Sequence, residues 1–566
     1  FVARVTVWAG KPWVEVHHRL ISRDAEPLTH LDALAWSLHA EAGAPEAVQS
    51  AITTSNYRSQ TQSAAPGETI RRAIDADHLL FTANEQVPEV LYGTFTAHWR
   101  HPERGGLSAS IFQGYQNYPT ALTVGPEGLC VELVAAGSDG LELTRGMAKG
   151  YRFLLHLHDG SVPAEDLIVR ALQYQMPDRP LLPPEAYRDA DVLPDLFVER
   201  PVARVERKLL DLADHRTKGF GALHWGDGPE RGYTDQGRGR GELVWCNHEY
   251  DLPRAAMLMF ARTSERRMLD YLLVSAEHWM EVDVCHHSDD PLRHCGMIYH
   301  SAGHARGGVT VSHEWVEGIL DYYHQTGDGF ALETALGIGE NVLRHLDEMM
   351  QRDVGAFSAR ETGWAIRTLV ALYEETHEGR WLAPAEQIVG HFEEWMGAHG
   401  TWLAPYTDHT LVRVPFMIAV AVNGLMCYHA ARPEARVERM VVSAMDDLVE
   451  HCLMPDGRFY YKELPSLERR GAGTLVLEAL AHAWGLTGDL RYLPAGMTSF
   501  ELSLQEEMAG WSGAKYVDGD AVIDPRGPGP KAFAAYFTPI TRFYRAAVLA
   551  GLLAEEEVSA QKGTQA

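Results

Sequence analysis

Histidines are concentrated in one short part of the chain, between positions 278 and 324. Eight of these 47 positions are histidine, against 28 of all 566 residues. Shortly before them, Trp245–Asp251 places apolar, amide, imidazole, carboxylate and phenol side chains next to one another. Imidazoles exchange protons near neutral pH, so this density on glycine-containing loops predicts a site of proton transfer. The eight are His278, His286, His287, His294, His300, His304, His313 and His324.

Two of these histidines have the spacing of metal ligands without the rest of such a motif. His300 and His304 are four positions apart, which suits a metal ion on a helix. The Ser-Ala-Gly between them resists helix formation, and no glutamate completes an HExxH pattern. We therefore predict no metal ligands, while a divalent cation such as calcium stays open as a cofactor. His278 and Asp283 suit an ordinary hydrogen-bonded pair as well as a site.

His313 is predicted to lie at the start of a helix. Ser312 has the side chain of an N-cap, and Glu314 and Glu317 would occupy the first turn of a helix that ends at Gly327. The positive end of that helix would disfavour protonation of His313. A neutral imidazole, which can act as a base, is therefore favoured.

Three further features each have two interpretations. Trp315 suits a sugar-stacking platform or the protein core. Arg360 and Arg413 open later helices, where each can project into a central funnel or form a structural ion pair. The segment Gln236–Gly241 is glycine-rich, but no strand precedes it, so we predict no phosphate loop there.

The first part of the chain has the alternation of β-strands. Apolar and polar residues alternate with period two from Val2 to about Asp159, and turn residues punctuate the runs. This pattern predicts an antiparallel β-sandwich over residues 1–165. Residues 166–205 are predicted to form a surface linker because they contain Pro177, Pro180, Pro183, Pro184 and Pro194.

The remainder has helical periodicity and a weak internal repeat. Aromatic residues near the predicted ends of amphipathic helices recur 50 to 63 positions apart, at Phe260, Tyr323, Tyr373, Tyr428 and Trp484. A helical hairpin with its loops has about this length, and such hairpins must stack to bury their apolar faces. Residues 206–555 therefore predict about six hairpins in an α/α toroid that carries the active site. An open α-solenoid is the alternative, and the fold class is multidomain α+β in either case.

Composition excludes several classes of protein. With 50 Lys+Arg and 77 Asp+Glu, the formal net charge of −27 argues against a nucleic-acid or anionic-membrane surface. No apolar run reaches the roughly 20 residues needed to span a bilayer. The six cysteines form neither a disulfide framework nor a CxxC pair. The chain starts at Phe1, which suggests that it has been trimmed. The sequence does not determine the cellular compartment, although a secreted or periplasmic location is favoured. It indicates no protein partner.

Several of these motifs together resemble the exo-rhamnogalacturonan lyases, polysaccharide lyase family 26, and their uncharacterised bacterial relatives. The similarity is diffuse and covers nearly the whole chain, and its most specific part is in the histidine-containing loops. The motifs are Asn247–Asp251, His300–His304, Ser312–Tyr323 and Thr326–Asp328, with Tyr115–Pro119, Gly363-Trp364 and Pro415–Met417 as weaker ones.

The resemblance implies exo-acting β-elimination on a uronic acid of a rhamnogalacturonan-type pectin, an acidic polysaccharide or oligosaccharide. Such an enzyme neutralises the uronate carboxylate, removes the C5 proton and protonates the leaving O4. The implied base is His313 or His300, and the implied acid is Tyr250 or His304. The implied substrate-binding residues are Trp245, Asn247, Glu249, Asp251, Asp283, Arg306, Trp315 and Arg360.

Two alternatives to the lyase remain open from the sequence. A glycoside hydrolase on the same toroid would use two carboxylates, such as Asp251 and Asp283, as acid and base. A non-catalytic glycan-binding protein would use the histidines only as hydrogen-bonding groups. The lyase is favoured because a hydrolase needs carboxylates and has no use for so many histidines.

Overall fold

The computed structural model describes most of the chain, and every structural statement below concerns the described part. The described residues are 1–24, 26–41, 43–55, 59–77, 93–179, 181–193, 195–198, 201–351, 358–407, 409–463, 473–505, 514–517, 519–523 and 525–553. Pro180 and Pro194 of the predicted linker lie outside them.

The N-terminal part consists of antiparallel sheets, as its alternating pattern predicts. A seven-stranded sheet has the order β1-β2-β13-β9-β8-β5-β6, a four-stranded sheet has the order β4-β11-β10-β7, and β12 pairs with β3. The strands are β1 (Val2–Val7), β2 (Trp13–Ile21), β3 (Leu28–Leu31), β4 (Leu34–His39), β5 (Gln49–Ser55), β6 (Ser59–Ser63), β7 (Ile70–Ile74), β8 (Thr94–His101), β9 (Gly105–Ile111), β10 (Thr120–Gly125), β11 (Gly128–Val134), β12 (Leu141–Thr144) and β13 (Ala148–His158).

The two larger sheets share one apolar core. Strands β10 and β11 pack on β5, β8 and β9 of the other sheet. In β13, Phe153 lies opposite Val16 and Ile111 in the pairing registers, and all three side chains are buried. Leu154 is buried as well, so this central strand is covered on both faces and period two alone does not describe it.

The C-terminal part is helical, and three short two- or three-stranded ladders, β14 to β20, lie among its loops. The helices are α1 (Ala164–Gln175), α2 (Pro184–Asp189), α3 (Ala203–Asp214), α4 (Arg231–Asp235), α5 (Leu252–Thr263), α6 (Arg266–His278), α7 (Glu317–Thr326), α8 (Gly329–Met349), α9 (Ala359–Thr376), α10 (Gly379–His399), α11 (Pro415–Ala431), α12 (Ala435–Cys452), α13 (Thr474–Thr487), α14 (Tyr492–Gln505) and α15 (Pro530–Leu549). The short strands are β14 (Lys218–Gly219), β15 (Val244–Trp245), β16 (Ser301–Ala302), β17 (Ala404–Thr407), β18 (Thr410–Val412), β19 (Ala514–Val517) and β20 (Asp520–Ile523).

The segment predicted as a linker is partly helical. Helix α1 packs on the large sheet, where the Gln175 side chain donates to the Ile111 carbonyl and accepts from the Gln113 N–H. Helix α2 begins at Pro184, a residue type that suits the first helical position. The prolines therefore punctuate packed helices here and do not mark one extended surface linker.

Twelve of the helices form a closed double ring. The inner ring is α5, α7, α9, α11, α13 and α15, and the outer helices are α3, α6, α8, α10, α12 and α14. The Arg367 side chain of α9 pairs with Glu317 at the start of α7. Helix α15 packs on both α3 and α5, which joins the end of the ring to its beginning. An open solenoid is excluded by this closure.

The repeated aromatic residues mark the ends of inner helices, as predicted. The carbonyls of Phe260, Tyr323, Tyr373 and Trp484 each accept the N–H of the residue four positions on, at 2.7 Å, and that residue is left-handed. Such caps end a helix and allow the next outer helix to begin at once. The short turns lie at this end of the ring, so the longer loops collect at the opposite end. Among the described helices, none is long and apolar enough to cross a membrane.

Candidate active site

A cavity of about 650 Å³ opens where the inner helices begin. Every inner helix contributes to its wall from its first turns or from the residues just before them, since the long loops collect at this end. Helix N-termini carry partial positive charge and favour bound anions. The side chains of Arg238, Arg360 and Lys531 add three cations to the same wall. The cavity therefore suits a ligand with an acidic group.

Glu249 is the carboxylate on which the polar groups of the cavity converge. It is 4% exposed. The Lys531 Nζ donates to its Oε1 at 3.0 Å, and the Tyr233 hydroxyl donates to its Oε2 at 3.0 Å. The rings of His300 and His313 face it from the other sides, His300 Nδ1 at 3.4 Å from Oε2 and His313 Nε2 at 3.5 Å from Oε1.

These partners keep Glu249 ionised. Burial alone would raise its pKa, but Lys531 and the two imidazoles outweigh burial and hold the pKa well below its usual range. Glu249 is therefore a permanent negative charge behind the two histidines. A carboxylate in this state accepts hydrogen bonds and orients its donors, and it has no proton to give.

The ring of His300 is held as the tautomer that a base needs. Arg238 Nη1 lies 2.8 Å from His300 Nε2. Because a guanidinium can only donate, Nε2 carries the lone pair and Nδ1 carries the proton that faces Glu249. Tyr233 stacks on the ring with centroids 3.9 Å apart. A lone pair therefore points toward the cavity, covered by an exposed arginine side chain.

His313 is held differently from the prediction. Ser312 is not an N-cap: Val311–His313 is one turn of 3-10 helix, and α7 begins only at Glu317. The Ser312 hydroxyl lies 3.1 Å from His313 Nδ1. His313 Nε2 faces the ionised Glu249, which can only accept, so this nitrogen carries the ring proton. Burial lowers the pKa of His313, with Glu249 opposing this. The imidazole is neutral as expected, but because of burial and not because of a helix terminus.

Tyr250 lies in a strained segment between Glu249 and helix α5. Asn247, His248, Tyr250 and Asp251 all have positive φ, between 47° and 73°, a conformation that is costly for residues other than glycine and clusters at functional sites. Burial raises the pKa of Tyr250 to about 12, although Lys531 lies nearby and opposes this. The phenol therefore keeps its proton at neutral pH.

Aromatic side chains form much of the remaining wall. Phe416 stacks on Tyr461 with centroids 5.5 Å apart. Tyr299, Tyr460 and Tyr536 also line the cavity. Rings with polar tips offer both an apolar face and a hydrogen bond, which suits the faces and hydroxyls of a sugar.

The structure brings five of the predicted site residues together in this wall: Tyr250, Glu249, His300, His313 and Arg360. Arg306 is outside the wall, exposed and paired with Glu242. Trp315 is 2% exposed and lies behind Tyr250, with ring centroids 5.7 Å apart. Of the two interpretations that the sequence allowed, Trp315 is therefore a core residue and not a sugar-stacking platform.

Asp251 holds helices and lies outside the cavity wall. Its Oδ1 accepts the Arg254 N–H at 2.9 Å as the N-cap of α5, and its Oδ2 accepts the Gly318 N–H at 3.0 Å from α7. A Cβ on Gly318 would lie 2.2 Å from Asp251 Oδ1, so only glycine permits this approach. Burial, with Glu317 close by, raises the pKa of Asp251 to about 7.

The remaining four predicted residues are buried beneath the cavity. Asp283 and His304 pair at 3.1 Å, and Trp245 stacks near His304 with centroids 4.8 Å apart. The Asn247 amide donates to the carbonyls of Ile298 and His304 at 3.0 and 2.7 Å. None of these four side chains lines the described cavity.

Among the wall residues that sequence reasoning missed are the three polar side chains that contact Glu249 or His300, namely Tyr233, Arg238 and Lys531. Arg238 lies in the glycine-rich segment 236–241, which was weighed only as a phosphate loop. Lys531 is 282 positions from its partner Glu249. No local pattern connects two residues so far apart, and only the closure of the ring brings them into contact.

Two groups of described side chains have the composition of a metal site. One is Glu249 with His300 and His313, and the other is Asp227 with His278, Asp283 and His304. In the first group Lys531 and Arg238 already occupy the carboxylate and one imidazole lone pair. Cations at those atoms compete with a metal ion, so the second group is the better candidate.

Comparison with known proteins gives weak similarities. No protein family model and no curated protein sequence matches the chain. Among solved structures, a polysaccharide lyase is 15% identical over 62% of this chain and 99% of its own, with a TM-score of 0.42. Glycosyl hydrolase family 88 from Bacteroides vulgatus is 13% identical over 60% and 99%, with a TM-score of 0.40. Cellobiose 2-epimerase from Bacillus thermoamylovorans is 10% identical over 63% and 99%, with a TM-score of 0.38. Similarities at this level assign neither a family nor an activity.

Proposed function

We propose that this chain is a glycan-active enzyme, a lyase that cleaves a uronic-acid-containing glycan by β-elimination. In this proposal the two packed sheets are a β-sandwich and the closed double ring is an α/α toroid. The observation that carries it is His300, whose Nε2 lone pair points into a cation-lined cavity while ionised Glu249 stands behind its Nδ1–H. The rhamnogalacturonan-type substrate and exo action rest on the resemblance of the sequence.

The cations would prepare the substrate for proton abstraction. Arg238, Arg360 and Lys531 surround the space where a uronate carboxylate would bind. Neutralising that carboxylate makes the C5 proton more acidic, because the charge that develops at C5 can spread onto it. A carboxylate would also draw the Arg238 guanidinium away from His300 Nε2 and so release the lone pair.

The elimination itself needs one base and one acid. His300 Nε2 takes the C5 proton, and Glu249 stabilises the imidazolium that forms. The C5–H electrons form the C4=C5 bond as the C4–O4 bond breaks. Tyr250, still a phenol at neutral pH, gives its proton to O4. His313 has its Nδ1 toward Ser312 and its Nε2–H toward Glu249, so it positions the carboxylate.

The arrangement of carboxylates supports a lyase over a hydrolase. A glycoside hydrolase needs two carboxyl groups that reach the scissile bond. Among the described residues of the wall, Glu249 is the one carboxylate, and its proton is already lost. Asp251 and Asp283 are 2% and 0% exposed and lie outside the wall.

Ultraviolet absorbance during incubation with rhamnogalacturonan I oligosaccharides tests the proposal. Elimination creates a C4=C5 double bond conjugated to the carboxylate, which absorbs, whereas hydrolysis creates none. We expect absorbance and new reducing ends to rise together, with one small product first if the action is exo. New reducing ends without absorbance would establish a hydrolase. Binding without either change, across a panel of uronate polymers, would establish the non-catalytic alternative.

A further inference from the structure

Beneath the cavity, four titratable side chains form a fully buried cluster: Asp227, His278, Asp283 and His304. None is more than 3% exposed. His304 Nδ1 lies 3.1 Å from Asp283 Oδ1 and 3.8 Å from Asp227 Oδ2, and His278 Nε2 lies 3.4 Å from Asp283 Oδ2. The proposed elimination uses none of them.

His278 presents a lone pair to this cluster. Its Nδ1 lies 3.1 Å from the Trp225 carbonyl, which can only accept, so the ring proton is on Nδ1. The neutral ring then turns the Nε2 lone pair toward Asp283 Oδ2, and two acceptors face each other. Within the described part of the chain, neither atom has a hydrogen-bond donor. A buried pair of this kind is costly unless a proton or a metal cation lies between the two atoms.

Two side chains outside the cluster, Asp520 and His224, orient His304 so that it too turns a lone pair toward the cluster. Asp520 Oδ1 lies 3.2 Å from His224 Nε2 and fixes a proton on that nitrogen. The tautomer of His224 with its proton on Nε2 accepts at Nδ1 from His304 Nε2, 3.0 Å away. This leaves a lone pair on His304 Nδ1, which faces Asp283 and Asp227.

We propose that Asp227, His278, Asp283 and His304 bind one divalent cation of the zinc type. Two imidazole nitrogens and two carboxylate oxygens are a ligand set that zinc accepts, whereas calcium prefers six or more oxygens. Tetrahedral ligands about 2.0–2.1 Å from zinc are roughly 3.3 Å from one another. The 3.1, 3.4 and 3.8 Å separations are close to that value.

The surroundings have the properties expected around a metal site. Metal-bound imidazoles generally donate their other N–H to a carbonyl or to another acceptor, as His278 does to Trp225 and His304 does to His224. Asp227 and Asp283 place their carboxyl groups on the same side of His304, in a region where all four side chains are buried. His224, which contacts His304, also lines a second cavity of about 630 Å³.

The cation would hold the two loops that carry the proposed base and its carboxylate. Asp227 Oδ2 accepts the Asn247 N–H at 2.8 Å, two residues before Glu249. His304 is four residues after His300, and its carbonyl accepts from the Asn247 amide. Since the four side chains are buried and none of them lines the cavity, the ion would position these loops and would not touch substrate.

Metal analysis of the purified chain tests the site. After dialysis against Zn²⁺ and then against metal-free buffer, we expect one zinc per chain. Asp283→Asn and His278→Gln should lose it, while the matched variants Glu249→Gln and His300→Ala, from the other cluster, should retain it. Retention by Asp283→Asn and His278→Gln, or a wild-type chain that takes up no zinc, would overturn the inference.

Cobalt gives a second readout in case the variants do not fold. The unaltered chain, stripped with chelator and loaded with Co²⁺ alone, should develop the visible absorption of a tetrahedral site and a higher melting temperature. If a folded chain shows neither the absorption nor the higher melting temperature, the proposed site is wrong. Metal uptake by a chain inactive on every glycan would leave this inference standing and remove only the proposed function.

Discussion

Glu249 determines how the residues of the cavity divide their roles. It fixes a proton on His300 Nδ1 and another on His313 Nε2, so each imidazole keeps one lone pair. Only that of His300 points to the cavity, where Arg238 covers it. The two histidines differ in the direction of the remaining lone pair, and no sequence pattern predicts the orientation of a side-chain ring.

Replacing His300 should remove most of the turnover. The variant His300→Ala is expected to lower kcat by about 10²–10⁴-fold, the usual contribution of one general acid or base. Initial rates of ultraviolet absorbance give kcat. The control is His324→Ala, since His324 is half-exposed at the far end of α7 and pairs with Glu375. Equal rates for the two variants would contradict the role of His300.

The alkaline limit of activity should reflect Tyr250. An acid must be protonated, so kcat falls as the pH rises through its pKa, which burial raises to about 12. We expect kcat to hold beyond pH 10, the ordinary range of a phenol. A kcat profile of the wild-type chain, with folding monitored at each pH, measures this. A decline centred below pH 10 in a folded chain would assign the acid to another group.

At the scale of elements, the helical repeat could be predicted because each copy ends with an aromatic residue and a turn that are recognisable in the sequence. The aromatic residues, with the turns that follow them, specify the ends of inner helices through local backbone hydrogen bonds. The first residues of the helices were harder to predict from the sequence. Ser312 has an N-cap side chain, but tertiary packing places a 3-10 turn there, and the helix begins five residues later. Element ends fixed locally could thus be predicted, and those fixed by contacts could not.

The contact between α5 and α7 depends on the absence of a side chain at Gly318. In Gly318→Ala the new Cβ would meet Asp251 Oδ1 at 2.2 Å and the Arg254 nitrogen at 2.6 Å. We expect a loss of about 1–3 kcal/mol in the free energy of unfolding, the range for overpacking. Urea unfolding followed by tryptophan fluorescence measures it.

Gly329→Ala is the matched control for that substitution. Gly329 opens α8, and a Cβ there would meet nothing within 4 Å. Alanine also favours helix over glycine, so the control should be as stable as the wild type or slightly more so. Similar losses in both variants would show that the Asp251 contact is not what Gly318 protects.

At the scale of the whole molecule, ring closure assembles the site. Lys531 on α15 reaches Glu249 before α5 only because the last helix packs on the first ones. The order of sheets then helices, and the number of hairpins, could be predicted from periodicity. The partners of Glu249 could not, because they come from loops and helices up to 282 residues away.

Where the ring closes, an ion pair joins α3 and α5, the two helices on which α15 packs. Arg262 at the end of α5 is 6% exposed and pairs with Glu206 of α3, and it also donates to the Leu196 carbonyl. We expect Arg262→Ala to reduce the free energy of unfolding by about 1.5–3 kcal/mol, the range for a hydrogen bond to a charged group. Arg380→Ala, whose half-exposed pairs lie on the outer helices, should change it little. Equal effects of the two variants on urea unfolding would mean that the pair between α3 and α5 contributes no more than an exposed pair.

Proton NMR of the products from a uronate-containing rhamnogalacturonan oligosaccharide tests the central claim most directly. The account predicts a vinylic proton on C4 of the new non-reducing end, appearing in step with cleavage in the wild-type chain and absent with His300→Ala. Cleavage that leaves saturated uronate ends in the wild-type products would contradict β-elimination and would favour the glycoside hydrolase instead.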